Sequence, residues 1–205
     1  MTTVQLPKPE VRDHASLSDA LRQRRSVRAY SGRSLTLQQV GQLLWAAQGR
    51  NDPSGMRTAP SAGALYPLEL LVAAGDVAGL DPGVYRYRPQ QHTLEMLQPG
   101  DRRDRLARAA LGQSWVADSA AILIITAIYE RTTRKYGERG KRYVHIEIGH
   151  AAQNALLQAA SLGLGAAVVG AFDDAAVASL LDLPAPEQPL YLLPVGWPAD
   201  EDSGP

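Results

Sequence analysis

Residues 120–128 read AAILIITAI, followed by Tyr129, and this run decides the fold. It is short, rich in β-branched side chains and almost wholly apolar, which predicts a central strand covered on both faces. Upstream, Leu68–Ala74 is a second extended run, and Val84-Tyr85-Arg86-Tyr87 alternates with the period of a strand. Pro89-Gln90-Gln91-His92 joins that stretch to Thr93–Leu97 as a hairpin. Downstream, Glu130–Arg139 reads as helix or loop and Tyr143–Leu162 as a long helix. Ala166–Phe172 is extended, Asp173 caps a helix reaching Leu181, and Leu190–Val195 supplies a last strand. Toward the start, Ser16 opens a short amphipathic helix that runs out at Arg24-Arg25. Thr36 caps a second helix, with Leu37, Val40, Leu43, Leu44 and Ala47 at helical spacing before Gly49. Asp101–Leu111 reads as an Arg-rich surface helix. Helices and strands do not alternate strictly, so the predicted class is α+β with a mixed sheet flanked by helices.

The 205 residues carry 21 Lys+Arg against 21 Asp+Glu, which removes the electrostatic warrant for a nucleic-acid partner. Only three of the basic residues are Lys (Lys8, Lys135 and Lys141), so Lys135 in an Arg-based segment stands out. The absence of Cys excludes disulfides, thiolate zinc sites, iron–sulfur clusters and cysteine nucleophiles. A composition of 45% apolar and 20% charged residues predicts one globular domain, with flexible ends at 1–15 and 199–205. The opening MTTVQLPKPEVRDH has no apolar signal core, giving the expectation of a cytoplasmic chain. The apolar stretch 146–172 is no membrane span. Glu147, His150, Asn154 and Gln158 draw a polar stripe along it, and Gly163 and Gly165 interrupt it. Its Ala-rich faces suit close packing against another helix, that of a second subunit included.

Five segments carry chemistry. Arg24-Arg25-Ser26-Val27-Arg28 places three guanidinium groups and a hydroxyl at a helix exit, able to hold a phosphate or to form a solvated basic turn. Ala59–Pro67 is a loop of small residues that allows a flat ligand to approach the backbone, or simply packs. Val168-Val169-Gly170-Ala171 reads as extended backbone with N–H groups free for a ligand. The preceding Gly163-Leu164-Gly165 is no dinucleotide fingerprint, because it follows a helix and lacks the third glycine. His145 and His150 are five apart, about 140° around a helix, so they cannot share a metal from one face. Lys135-Tyr136 combines two side chains able to move a proton where Arg could not, or is a plain surface pair.

The order of R-R-S-V-R-A-Y, L-L-W-A-A-Q-G, A-P-S-A-G-A-L-Y-P-L-E, G-V-Y-R-Y, K-Y-G-E-R-G-K-R-Y, E-I-G-H-A-A-Q-N and G-L-G-A-A-V-V-G-A-F-D-D resembles the FMN-dependent nitroreductase superfamily. Within it, the sequence is most similar to the SagB-type dehydrogenase branch, which includes azoline oxidases. The resemblance implies a homodimer with a long interface helix and two FMN sites between subunits. Carried over by motif, it implies that Arg24, Arg25 and Ser26 contact the phosphate and ribityl chain. Arg28 would lie beside the flavin pyrimidine edge, where positive charge stabilises the reduced anion. Pro60, Ser61, Ala62 and Gly63 would reach FMN from the opposite subunit, while Val169, Gly170 and Ala171 would face flavin N5 and O4. Lys135-Tyr136 resembles the azoline-oxidase pair that assists removal of a ring proton.

The sequence departs from the family at Ala171, often Gly, and after the last strand, where Gly196-Trp197-Pro198 and an acidic tail replace a basic phosphate contact. The resemblance therefore implies an FMN oxidoreductase that dehydrogenates an azoline-type heterocycle, small or peptide-derived. It leaves open an NAD(P)H-driven reductase of nitro compounds or quinones, and a flavin-binding partner subunit without turnover.

Overall fold

The computed structural model describes residues 2–11 and 15–199. The chain runs β1 (Thr3–Gln5), α1 (Leu17–Gln23), β2 (Leu35–Thr36), α2 (Leu37–Gln48), β3 (Leu68–Ala74), β4 (Val77–Ala78), β5 (Gly83–Arg88) and β6 (Thr93–Pro99). It continues through α3 (Arg103–Ala109), β7 (Ala121–Ala127), α4 (Glu130–Tyr136), α5 (Arg139–Ser161), β8 (Gly165–Ala166), α6 (Asp174–Leu180) and β9 (Gln188–Gly196). Seven strands form one sheet in the order β1-β6-β5-β3-β7-β9-β8. Every ladder in it is antiparallel, so the expected mixed sheet is corrected to an antiparallel one, while the α+β class with flanking helices stands. Among the described residues parallel pairing is confined to the β2–β4 ladder and to a bridge between Ser26 and Ala166.

The 120–128 run becomes β7, buried at all seven positions. Strand alternation splits its side chains between two apolar layers. Ala121, Leu123, Ile125 and Ala127 point with Leu68, Leu70 and Val72 into the layer shared with α2 and α5. Ile122 and Ile124 point with Leu71 and Ala73 toward Leu106 of α3 and Val177 of α6. A strand with helices over both faces has no polar side to show, which is why its sequence does not alternate.

The capping expectations are met. Ser16 accepts from the Asp19 N–H, Asp173 accepts from the Ala176 N–H, and Thr36 with Gln39 closes a reciprocal capping box. Elsewhere the structure differs from the reading. Part of the stretch 1–15, expected as a flexible end, is ordered: Thr3–Gln5 add an edge strand to β6, and Leu6 is buried. Residues 200–205 of the other expected end lie outside the described residues. The long helix starts at Arg139, four residues before its predicted start. Its Ala151, Ala152, Ala155 and Ala159 are buried in the chain's own core, so the Ala-rich face is not the surface left for a partner. The polar stripe also faces inward in part. Asn154 donates to the Thr58 carbonyl, Gln158 accepts from Gln42, and Glu147 is buried, which leaves His150 exposed. The open face carries Arg142, Ile146, Gly149 and Gln153. Among the described residues no helix is long and apolar enough to cross a membrane.

Candidate active site

Most of the sequence-predicted residues gather at opposite ends of β7, while Val169, Gly170 and Ala171 run level with its middle, Val169 bridging to Leu192 opposite Ile124. At the first end Ala121 pairs with Val195, which also pairs with Ala166, which bridges to Ser26. At the second, Ala127 pairs with Leu68, at the exit of the small-residue loop and just before α4. Six strand intervals separate Ala121 from Ala127, about 20 Å.

At the first end the chain leaves α1 at Arg24 and runs beside β8, with the Val27 N–H donating to the Ala166 carbonyl at 3.1 Å. The approach is close because residue 165 is Gly: a Cβ there would stand 2.6 Å from Val27 Cγ1. The segment is tied from behind as well. Tyr30 donates to the Val27 and Pro194 carbonyls, and the Ala199 N–H donates to the Ala29 carbonyl. Arg25, Ser26 and Arg28 are exposed and Arg24 is half-buried. Arg25 donates only to the backbone carbonyls of Arg22 and Arg24. Arg28 lies over the Trp115 ring, 5.6 Å from its centroid. Among the described residues none of the three guanidinium groups has a carboxylate partner, an arrangement that suits a phosphate or another small anion.

Val169, Gly170 and Ala171 continue from β8 along the outside of β9. Here the structure corrects one reading. The Val169 N–H is not free, because it donates to the Leu192 carbonyl at 2.8 Å, and Val169 accepts from Leu192 in return. A strand edge pairs whatever backbone lies alongside it. The N–H groups of Gly170 and Ala171 have no partner among the described residues and remain available to a ligand. Gln113, on the turn that carries Trp115, donates to the Ala171 carbonyl and so links this strip to the Arg28 stack. Neither Gln113 nor Trp115 was legible as a site residue, since only the fold brings that turn to Arg28.

At the second end Pro60, Ser61, Ala62 and Gly63 enter a single turn of 3-10 helix, Ala62–Ala64. Gly63 takes φ +65° freely, as glycine does, whereas Ala64 and Tyr66 are strained at φ +54° and +46°. Ser61 Oγ accepts from the Tyr66 N–H at 2.9 Å and closes the loop on itself. Gly63 meets α4. A Cβ built on it would lie 2.8 Å from the Tyr136 hydroxyl and 3.0 Å from Lys135 Nζ. Lys135-Tyr136 therefore faces the Pro60–Gly63 segment. The Tyr136 ring packs edge-on against Tyr143, with centroids 5.1 Å apart. Arg131 holds α4 in place, donating to the Tyr66 carbonyl and pairing with Glu69 at 2.6 Å. Glu69 in turn meets Arg86, which is paired with the buried Glu187.

Beneath this loop lies a buried polar group whose environment is set by tertiary packing. Glu147 of α5 is 2% exposed. Burial pushes its carboxyl up to about 7, against the Ser61 hydroxyl, the Gln48 amide and the Arg57 charge, which favour the ionised form. Its Oε1 and Gln48 Nε2 close no hydrogen bond, while Gln48 Oε1 accepts from Arg57 at 3.0 Å. Arg57 itself stacks on Tyr66. One sequence signal was available: Glu147 sits three after Val144 and four before Ala151, on the apolar face of its helix. His145 contributes to no such cluster, and its Nε2 meets the Tyr129 hydroxyl at 2.6 Å.

The antiparallel sheet, with helices on both faces, thus carries an exposed arginine turn at one end and the Lys135–Tyr136 pair at the other. A family model described as the nitroreductase family matches residues 21–197, and the chain belongs to that family, an oxidoreductase class whose members generally bind flavin. A Methanocaldococcus jannaschii protein named as a nitroreductase is 47% identical over 194 residues, covering 95% of this chain and 96% of that protein. The microcin B17-processing protein McbC of Escherichia coli is 30% identical over 155 residues, covering 73% of this chain and 57% of that protein. Among solved structures, a Ralstonia eutropha protein named as a nitroreductase aligns with a TM-score of 0.85 and 31% identity, over 97% of this chain and 90% of that one. A chain of the E. coli microcin synthetase McbBCD complex with truncated pro-MccB17 bound aligns at 0.78 and 28% identity, over 94% of this chain and 76% of that one.

Proposed function

We propose that this chain is an FMN-dependent dehydrogenase of the SagB-type branch, acting on an azoline-type heterocycle or a related natural-product intermediate, small or peptide-derived. The observation that carries the reading is the placement of Lys135 Nζ and the Tyr136 hydroxyl against Gly63. Likeness to McbC, a microcin B17-processing protein by name, supports the substrate class. FMN, when bound, supplies the hydride acceptor. Lys135 or Tyr136 takes the ring proton that leaves as the C–H hydride departs, so the substrate loses two electrons and two hydrogens. Arg24, Arg25 and Ser26 hold the phosphate, Arg28 lies at the pyrimidine edge, and the Gly170 and Ala171 N–H groups orient the ring. The unpaired guanidinium groups and the two free N–H groups fit these roles.

The two ends of β7 lie about 20 Å apart, farther than one flavin ring can bridge. The reading therefore has the second end supplied by another copy of this chain, making a homodimer with two sites. The exposed Arg142, Ile146, Gly149 and Gln153 face of α5 is the natural surface for it. The whole of this sequence acts as one FMN-binding domain in this reading.

A second reading, an NAD(P)H-dependent reductase of nitro compounds or quinones, draws on the 47% identity to a protein named as a nitroreductase. Anaerobic mixing separates the two. Bleaching of bound flavin by an azoline-containing peptide but not by NAD(P)H supports the dehydrogenase; the reverse supports the reductase. A purified protein that lacks flavin absorption and fails to bind added FMN defeats both.

A further inference from the structure

Glu69 closes the A-P-S-A-G-A-L-Y-P-L-E stretch, and no step described above uses it. Its two carboxylate oxygens hold two different cations: Oε1 meets Arg131 Nη2 at 2.6 Å, and Oε2 meets Arg86 Nη1 at 3.3 Å. Arg86 in turn grips Glu187 through both terminal nitrogens, at 3.1 and 3.0 Å, and Thr126 donates to the same carboxylate. Positive and negative groups alternate along this row. Arg86 and Glu187 are buried, so each charge depends on its neighbours, and removing one leaves the next uncompensated. Arg86, Glu69 and Thr126 sit on the adjacent strands β5, β3 and β7, which gives the row a rigid base.

Arg131 is where that row leaves the sheet. Its other terminal nitrogen donates to the Tyr66 carbonyl at 3.1 Å. Tyr66 has φ +46° and its N–H already goes to Ser61 Oγ, so both backbone groups of this strained residue are fixed from outside. On α4, Arg131 and Lys135 are four residues apart and lie one above the other on a single face. A helix of seven residues does not hold its own shape in water, so the placement of α4 is set by what it touches. It leans on α5 where Gly140 lets the Thr133 backbone approach. Among the described residues, no side-chain hydrogen bond or ion pair other than those of Arg131 ties α4 to the loop or to the sheet. One guanidinium thus joins the loop that carries Gly63 to the helix that carries Lys135 and Tyr136, and its planar fork meets two acceptors at fixed angles.

We infer that Arg131, anchored by Glu69, is a positioning residue: it fixes the gap between Gly63 and the Lys135–Tyr136 pair, where the proton is taken in the proposed reaction. This rests on the proposed function for what happens in the gap, though not for the gap itself.

The test has two readouts on the full-length protein. Without FMN, hydrogen exchange is followed at Tyr66 on the loop, at Gly137, whose N–H closes the last turn of α4 on Thr133 at 2.7 Å, and at Ile124 inside β7 as a core reference. Arg131→Met should speed exchange at Tyr66 and Gly137 by about tenfold and leave Ile124 unchanged. With FMN and an azoline-containing peptide, the same variant should lower kcat by about 100-fold at unchanged KM and unchanged FMN affinity. Added to a protein that already carries Lys135→Ala and Tyr136→Phe, Arg131→Met should cost nothing further, because no proton-handling group is left to position. A further loss in that background, multiplying the first, would make the role of Arg131 purely structural and overturn the inference. Wild-type exchange rates at Tyr66 and Gly137 in Arg131→Met would overturn it as well. If wild type does not oxidise the azoline-containing peptide, the proposed function falls alone, since exchange at the two amides still decides whether Arg131 holds the gap. Should Arg131→Met fail to fold, Glu69→Gln takes its place: it removes the charge that anchors Arg131 and must speed the same two amides, and unchanged rates there defeat the inference.

Discussion

The two ends of β7 solve different problems. At the Ala121 end the backbone is locked by a bridge, a tyrosine and a glycine contact, and the side chains proposed to bind are exposed cations that make few bonds of their own. At the Ala127 end the backbone is strained at Ala64 and Tyr66, and the polar groups are buried in a partly satisfied network around Glu147, Gln48 and Arg57. On the proposed function, the first end keeps recognition separate from folding. The second stores cost in the fold at the place where chemistry is proposed, as strained, low-dielectric sites commonly do.

That contrast can be broken by substitution. The largest effect is expected from Lys135→Ala, which should lower turnover by about 10²- to 10⁴-fold while leaving FMN bound. Unchanged turnover in a steady-state assay would remove this residue from the chemistry.

Next comes Glu147. Its folded pKa of about 7 lies above the ordinary 4.5, so wild type should lose stability as pH rises through that window and reach its full deficit above pH 7. Glu147→Gln carries no such charge and should be more stable than wild type in denaturant unfolding at pH 8, by roughly 3 kcal/mol, with little difference at pH 4. Parallel curves for the two proteins across pH would show that the carboxyl is better solvated than its burial implies.

At the first end, Gly165→Ala should cost about 1–3 kcal/mol, because its Cβ meets Val27 and one of the two strands must shift. Thermal unfolding checks this, and an unchanged melting temperature would mean the clasp is loose. The smallest effect sharpens the comparison most. Arg25→Ala should weaken FMN binding by about tenfold, 1.4 kcal/mol, with no change in melting temperature. A drop in stability of similar size would show that the first end, too, builds its function into the fold.

Much of this was legible from residues. The nine-residue, almost wholly apolar run pointed to a buried central strand, and caps at Ser16, Thr36 and Asp173 act within four residues of chain. The motif segments were identifiable one by one, because arginine turns, small-residue loops and a rare lysine are local features. Three things were not. Val169 looked free until β9 ran beside it; Trp115 and Gln113 had no signal until α3 brought their turn to Arg28; and the Ala faces of α5 announced a helix partner without saying whether it was this chain's α2 or a second subunit's helix.

The sequence by itself determined the strands, the capped helices and the kinds of chemistry available, since these depend on side-chain type and on periods of two to four residues. Only the tertiary structure decided that Lys135 and Tyr136 meet Gly63, that the arginine turn lies at the far end of β7, and that Glu147 is sealed from water. Those facts depend on sheet order and helix packing, which join residues scores of positions apart through burial that no local pattern encodes.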